Sequence, residues 1–163
     1  MTDNSSSDRA GDDNTAAPSA EYRFDERILD HYQDPFNRQP VEHATHAAED
    51  TNRLCGDSIR VELRIDADGT VAEAGFDGEG CVISQAAASM LMEHVSDRTV
   101  SELDAFSPED MLKLFGANLA ANRQKCCLLA WRILQTARQT PLTSDDDETG
   151  GPNFGGPSLS EEC

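Results

Sequence analysis

Between Ser58 and Asp66 apolar and polar residues alternate without a break, with Ile59, Val61, Leu63 and Ile65 interleaved by Arg60, Glu62 and Arg64. Successive side chains of a strand point to opposite faces, so this run specifies a β-strand with one buried and one wet face. A sheet of such strands is antiparallel and needs a cover on its apolar side only. Ala67-Asp68-Gly69 supplies a hairpin turn, and a second strand is expected from Thr70 to about Phe76, broken by Gly78-Glu79-Gly80. The rest reads as helix. Phe24, Ile28, Leu29 and Tyr32 recur at helical spacing between Glu21 and Gln33, ahead of Pro35. Ile83 to Val95 has the small residues Ala86, Ala87 and Ala88 on a close-packing face. Ser107-Pro108-Glu109-Asp110 is a helix start, with Gly116 as its stop. A last helix runs from about Asn122 to Arg138, before Pro141. The expected fold class is α+β, two-layer, a small antiparallel sheet with helices packed on one face.

The ends differ in composition. Residues 1–20 and 142–163 are acidic and rich in small, polar or Gly/Pro residues, so both are expected to be disordered tails around one domain at residues 21–141. Residues 1–20 contribute −3 and residues 142–163 contribute −6 to the net charge of −18, which leaves −9 on the domain itself. An acidic domain repels a phosphate backbone, which argues against nucleic acid as a partner. No apolar run is long enough to span a bilayer or to serve as a secretory signal, so no membrane association and a cytoplasmic location are expected. Thiols stay reduced there, and the five cysteines read as ligands, nucleophiles or core filler rather than disulfides.

Three cysteines stand at the starts of elements. Cys55-Gly56-Asp57 directly precedes the alternating strand, and Gly56 permits a sharp turn that lets Cys55 and Asp57 point to one side. Gly78-Glu79-Gly80-Cys81 lies at a strand-to-helix junction, where free N–H groups favour a thiolate. Arg123-Gln124-Lys125-Cys126-Cys127 opens the last helix, and the two bases are expected to lower the pKa of Cys126. Any one of these cysteines alone reads equally well as a small buried hydrophobe. Together, three thiolates and one carboxylate suffice for a four-coordinate site suited to zinc or iron.

These segments resemble the U-type iron–sulfur cluster assembly proteins, the NifU N-terminal/IscU/SufU family. The resemblance covers residues from about 22 to 138. It is carried by Ile28-Leu29-Asp30-His31-Tyr32 with Pro35 and Asn37, by Leu54-Cys55-Gly56-Asp57, by Gly78-Glu79-Gly80-Cys81-Val82-Ile83-Ser84 and by Lys125-Cys126. It implies an IscU/SufU-like fold with metal ligands at Cys55, Asp57, Cys81 and Cys126. Cys55 and Cys126 would be the sulfur-handling residues, and Cys55, Cys81 and Cys126 the thiolates that hold a cofactor. The implied cofactor is Zn(2+) or a [2Fe–2S] cluster and its iron. The implied partners are a pyridoxal-phosphate cysteine desulfurase, as sulfur donor, and apo iron–sulfur acceptor or assembly proteins. The protein then reads as a scaffold or sulfur acceptor rather than an ordinary enzyme, with zinc-dependent sulfurtransferase activity as the alternative. Arg123-Gln124-Lys125-Cys126 followed by Leu129-Ala130-Trp131 resembles the SufU branch, whereas the short interval from Cys81 to Cys126 resembles IscU.

The remaining candidates have plainer readings. Cys127 falls about 100° round the helix from Cys126 and aligns with Ala130, Trp131 and Leu134, which makes it core. Cys163 reads as a free thiol on a tail, and His43 and His46 as residues of a solvated loop. His31 and His94 read as packing or surface residues, and Met90, Leu91 and Met92 as core filler. Two functions of other classes compete. One is a zinc-stabilised structural module without sulfur transfer. The other is a cysteine-nucleophile hydrolase, against which no histidine lies near the cysteine motifs in sequence.

Overall fold

The computed structural model describes residues 24–143. The tails expected at 1–20 and 142–163 therefore lie outside the described residues, except for Leu142 and Thr143. The element order is α1 (Glu26–Gln33), β1 (His46–Asn52), β2 (Asp57–Ile65), β3 (Val71–Glu79), α2 (Val82–Val95), α3 (Val100–Ala105), α4 (Pro108–Phe115) and α5 (Ala121–Ala137). The three strands form one antiparallel sheet in the order β1-β2-β3. The alternation of β2 does what its period requires: Ile59, Val61 and Leu63 are fully buried, while Arg60, Glu62 and Arg64 lie on the opposite face. Helices α2 and α5 cover the apolar face, and α1 packs on α2. The α+β, two-layer architecture anticipated from the sequence is the one found.

Helix α2 is buried at every position from Ile83 to Met92, because it has sheet, α5 and α1 around it. The alanines at 86–88 let these neighbours approach, and Met90, Leu91 and Met92 fill the core as anticipated. The other helices have local reasons to start where they do. Asp25 accepts from the Ile28 amide at the head of α1. Thr99 with Glu102, and Ser107 with Asp110, form capping boxes at α3 and α4. Gly116 ends α4 in the left-handed region at φ 83°.

The structure departs from the sequence reading at three places. First, His46 opens β1 instead of lying in a solvated loop, although His43 is exposed at φ 56°. Strand β1 has only Ala47, Ala48 and polar residues, so it carries no alternation to read. It is a strand because the free edge of β2 pairs with it from Asn52↔Asp57 to His46↔Leu63. Second, the short helix α3 was not anticipated, although its Thr99-x-x-Glu102 start is a legible capping signal. Third, β3 continues through Gly78 to Glu79 rather than breaking at the glycines. Gly78 sits opposite Ile59 with φ 141°, and a Cβ there would stand 2.0 Å from the Ser58 carbonyl oxygen. The glycine serves close approach of β2, not termination.

Gly78→Ala is therefore expected to cost about 2–3 kcal/mol, the scale of backbone strain plus overpacking. A urea midpoint unchanged within error would show that β2 and β3 separate without cost at this point.

Candidate metal centre

The loop between β1 and β2 is built by Asn52. Its side-chain Oδ1 accepts from the Leu54 amide at 3.1 Å, and its carbonyl accepts from the Cys55 and Gly56 amides at 3.2 and 2.8 Å. Gly56 takes φ 71°, the left-handed value that turns the chain back into β2. Cys55 is thereby left exposed at the tip, and Asp57, the first residue of β2, is driven fully inside.

A buried carboxylate needs partners. Asp57 finds one at the N-terminus of α2, where its Oδ1 accepts the backbone N–H of Cys81 at 2.8 Å. Cys81 is the N-cap of α2 and its own side chain makes no capping bond. Asp57 therefore supplies from another strand the anion that this helix end lacks in its first turn. Its second oxygen, Oδ2, lies 3.7 Å from the Cys81 sulfur. Gly80 makes this possible, since a Cβ at that residue would stand 2.7 Å from Asp57 Oδ1 and 2.3 Å from Ser84 Oγ.

The third element is α5. Cys126 is completely buried, and its Sγ lies 3.1 Å from Cys55 Sγ. Cys55, Asp57 and Cys126 each offer a ligand atom within 4.8 Å of the other two. Cys81, the fourth residue expected here, lies outside that close group and meets it at Asp57 alone, with its amide on Oδ1 and its Sγ 3.7 Å from Oδ2. Thiolates around a tetrahedral zinc stand about 3.8 Å apart, so a fraction of an ångström of opening between Cys55 and Cys126 adapts the cluster to such an ion. Three sulfurs and one oxygen match the borderline-soft preference of zinc and the thiolate preference of iron.

One expectation is reversed. Lys125 and Arg123 were anticipated to lower the pKa of Cys126. Burial instead pushes it strongly up, reinforced by the hydrogen bond with Cys55 and by the negative charge that Cys81, Cys55 and Asp57 can carry. Lys125 is exposed and its charge is spent in water. Cys127 is also fully buried, as its helical phase foretold, and desolvation pushes its thiol to about 12. His31 places Nδ1 at 2.7 Å from Ser89 Oγ, and His94 packs its ring on Phe106 at 4.7 Å. Both are packing residues, as anticipated. Cys163 lies outside the described residues. Two contributors were not singled out from the sequence. Asn52 carries the signal of an Asn ahead of a turn. Ser84 stands three residues after Cys81, the N-cap of α2, a spacing that sets the two side by side in the first turn, and Gly80 leaves room for its hydroxyl.

A small α+β domain with a cysteine–carboxylate cluster at the junction of a hairpin loop and the first turns of two helices has the donor set of a metal-handling domain. Residues 23–140 match the model of the NifU-like N terminal domain. The chain is 35% identical to the iron-sulfur cluster assembly scaffold protein IscU of Thermotoga maritima over 130 residues, covering 70% of this chain and 91% of the relative. It is 30% identical to the zinc-dependent sulfurtransferase SufU of Bacillus subtilis over 125 residues, covering 66% of this chain and 84% of that one. Among solved structures, an iron-sulfur cluster assembly scaffold protein for the SUF system from Fervidobacterium islandicum matches with TM-score 0.60 at 24% identity, over 71% of this chain and 96% of that one. The N-terminal NifU-like protein of Brucella abortus matches with TM-score 0.58 at 21% identity, over 71% and 91%. Those two likenesses bear on the fold. The chain belongs to the NifU N-terminal/IscU/SufU family of iron–sulfur cluster assembly proteins. Among the described residues no helix is long and apolar enough to cross a membrane.

Gly80→Ala is expected to lower metal content in the purified protein at least tenfold, because the added methyl overlaps both Asp57 Oδ1 and Ser84 Oγ and so shifts the start of α2 that carries Cys81. Elemental analysis beside a circular-dichroism spectrum checks this. Full metal content in a folded variant would mean that Cys81 keeps its place or is not needed for metal.

Proposed function

We propose that the chain accepts persulfide sulfur from a pyridoxal-phosphate cysteine desulfurase at a site formed by Cys55, Asp57, Cys81 and Cys126, and that the same site holds Zn(2+) or carries a nascent [2Fe–2S] cluster to apo acceptor proteins. The observation that carries this reading is the uneven exposure of the cluster. Cys55 is exposed on a turn, Cys81 is half-buried, and Asp57 and Cys126 are fully enclosed. A purely structural metal site is closed on all sides. One whose thiol stands at the surface can meet the sulfur of another protein.

The transfer needs no added oxidant. A thiolate of the acceptor attacks the terminal sulfur of the desulfurase persulfide, the new S–S bond forms, the donor S–S bond breaks, and the donor cysteine leaves as a thiolate. Cys55 is the thiol within reach of a docked donor. Cys126, at 3.1 Å from it, is placed to receive or share the sulfur inside the site. A bound zinc would supply the positive charge that holds these thiols deprotonated. The chain's similarity to both a scaffold and a zinc-dependent sulfurtransferase supports both kinds of cargo.

Purified protein measured by native mass spectrometry is expected to carry one zinc or one two-iron, two-sulfur increment per chain. The protein should raise the turnover of its cognate desulfurase, and Cys55→Ser should remove at least 90% of that stimulation. Full metal occupancy after changing Cys55, Cys81 and Cys126 together would overturn the ligand assignment. Absence of stimulation by a metal-loaded wild type would overturn sulfur acceptance.

Asp57 is the hardest ligand of the four, bound least firmly against sulfur competitors. Asp57→Ala is expected to keep metal on the three cysteines while its sulfur acceptance falls at least tenfold or, with a cluster bound, its release slows by a similar factor. Metal content and transfer rate to an acceptor, measured side by side, check this. Unchanged transfer at unchanged metal content would reduce Asp57 to a residue that shapes the turn.

A further inference from the structure

Ser84 is completely buried. Its Oγ lies 3.7 Å from Cys81 Sγ, and its hydroxyl donates to the Cys81 carbonyl at 3.1 Å. With the hydroxyl proton on the carbonyl, an oxygen lone pair is turned to the sulfur. A metal-bound cysteine has no proton to give, and two lone pairs of sulfur and oxygen would then face each other.

The hydroxyl of Ser84 has the freedom to resolve that conflict, since rotation about its Cβ–Oγ bond swings the proton from the carbonyl to the sulfur. The carbonyl is not abandoned, because it also accepts the Gln85 amide at 3.1 Å. A second polar neighbour of the sulfur is Asp57 Oδ2 at 3.7 Å. Gly80 is what admits Ser84 so close, as a Cβ there would stand 2.3 Å from its Oγ.

We infer that Ser84 is a positioning residue that donates its hydroxyl hydrogen bond to the Cys81 thiolate whenever the site is loaded. This rests on the metal-site reading of Cys81 given above. A hydrogen bond drains charge from a ligating sulfur and weakens it as a nucleophile. Cys81 is thereby kept as the anchoring thiolate, and sulfur chemistry is directed to Cys55 and Cys126, whose sulfurs face each other at 3.1 Å and have no hydroxyl at hydrogen-bond distance among the described residues.

Cobalt(II) added to the full-length, metal-depleted protein tests this through the sulfur-to-cobalt charge-transfer bands. These depend on the electron density at sulfur and not on general stability. Ser84→Ala is expected to move the bands to longer wavelength and Ser84→Thr to restore them. Ser84→Val, the shape of threonine without its hydroxyl, should behave as alanine does. The threonine and valine pair gives the same comparison if the alanine variant fails to fold by circular dichroism. Alkylation of the zinc-loaded protein, read by peptide mass, should show Cys81 modified at least fivefold faster in the variants that lack the hydroxyl. Bands at the wild-type position in both hydroxyl-free variants would overturn the role of Ser84 alone. Absence of any thiolate–cobalt band in the wild type would overturn the metal site itself.

Discussion

The hydrogen bond from the Cys81 amide to Asp57 Oδ1, 2.8 Å long, joins the first residue of β2 to the first turn of α2. Around it the two halves of the domain are brought together. An ionised carboxylate with no exposed surface is costly to bury unless it is paired or hydrogen-bonded. Here its partner is the partly positive end of a helix, which lacks a capping side chain of its own. The interaction in turn dictates its neighbours. Gly80 must be glycine for the carboxylate to reach the amide, and Gly78 must be glycine for β3 to lie close against Ser58.

The helix starts divide by task. α1, α3 and α4 each begin with a side chain that caps its own first turn, at Asp25, Thr99 and Ser107. α2 and α5 begin without one, at Cys81 and Ala120. Those two uncapped ends are the ones that deliver Cys81 and Cys126 to the cluster. Local capping stabilises a helix by about 1 kcal/mol, and at α2 the place of the missing cap is taken by Asp57, which accepts the Cys81 amide. The position of α5 is held instead from its flanks. Arg132 pairs with Asp50 of β1 at 2.7 Å, Trp131 donates to the Phe106 carbonyl at 2.9 Å, and Gln135 donates to the Leu103 carbonyl at 3.1 Å. The short helix α3, which carries no site residue, thus helps to fix the depth of Cys126.

That depth controls the chemistry. Cys126 in a dry setting among other acidic groups keeps its proton, whereas Cys55 projects from a loop held only by Asn52 and the left-handed Gly56. A cation entering among these groups reverses the sign of their environment. Metal uptake and loss of thiol protons are therefore one event. The cluster sets a buried, proton-holding thiol against an exposed one across 3.1 Å.

Much of this was legible in the chain. The period of two from Ile59 to Ile65 was enough to specify β2 and its buried face, because every residue of that run reports on the same alternation. Ser107, Pro108 and Gly116 marked both ends of α4 through local backbone chemistry. Cys55, Asp57, Cys81 and Cys126 could be singled out by their places at element starts. What depended on neighbours distant in sequence could not be read. β1 exists because β2 offers it an edge, and its alanines and acids carry no pattern of their own. Gly78 looked like a breaker, since the glycine of a close strand approach and the glycine of a turn are the same letter. The bases beside Cys126 suggested a lowered pKa, but burial by the packing of α5 sets the opposite direction. The sequence by itself determined the donor atoms and the periodicities. Only the tertiary structure decided which donors are dry and which is exposed, because burial and electrostatics are properties of all the atoms around a group rather than of its neighbours along the chain.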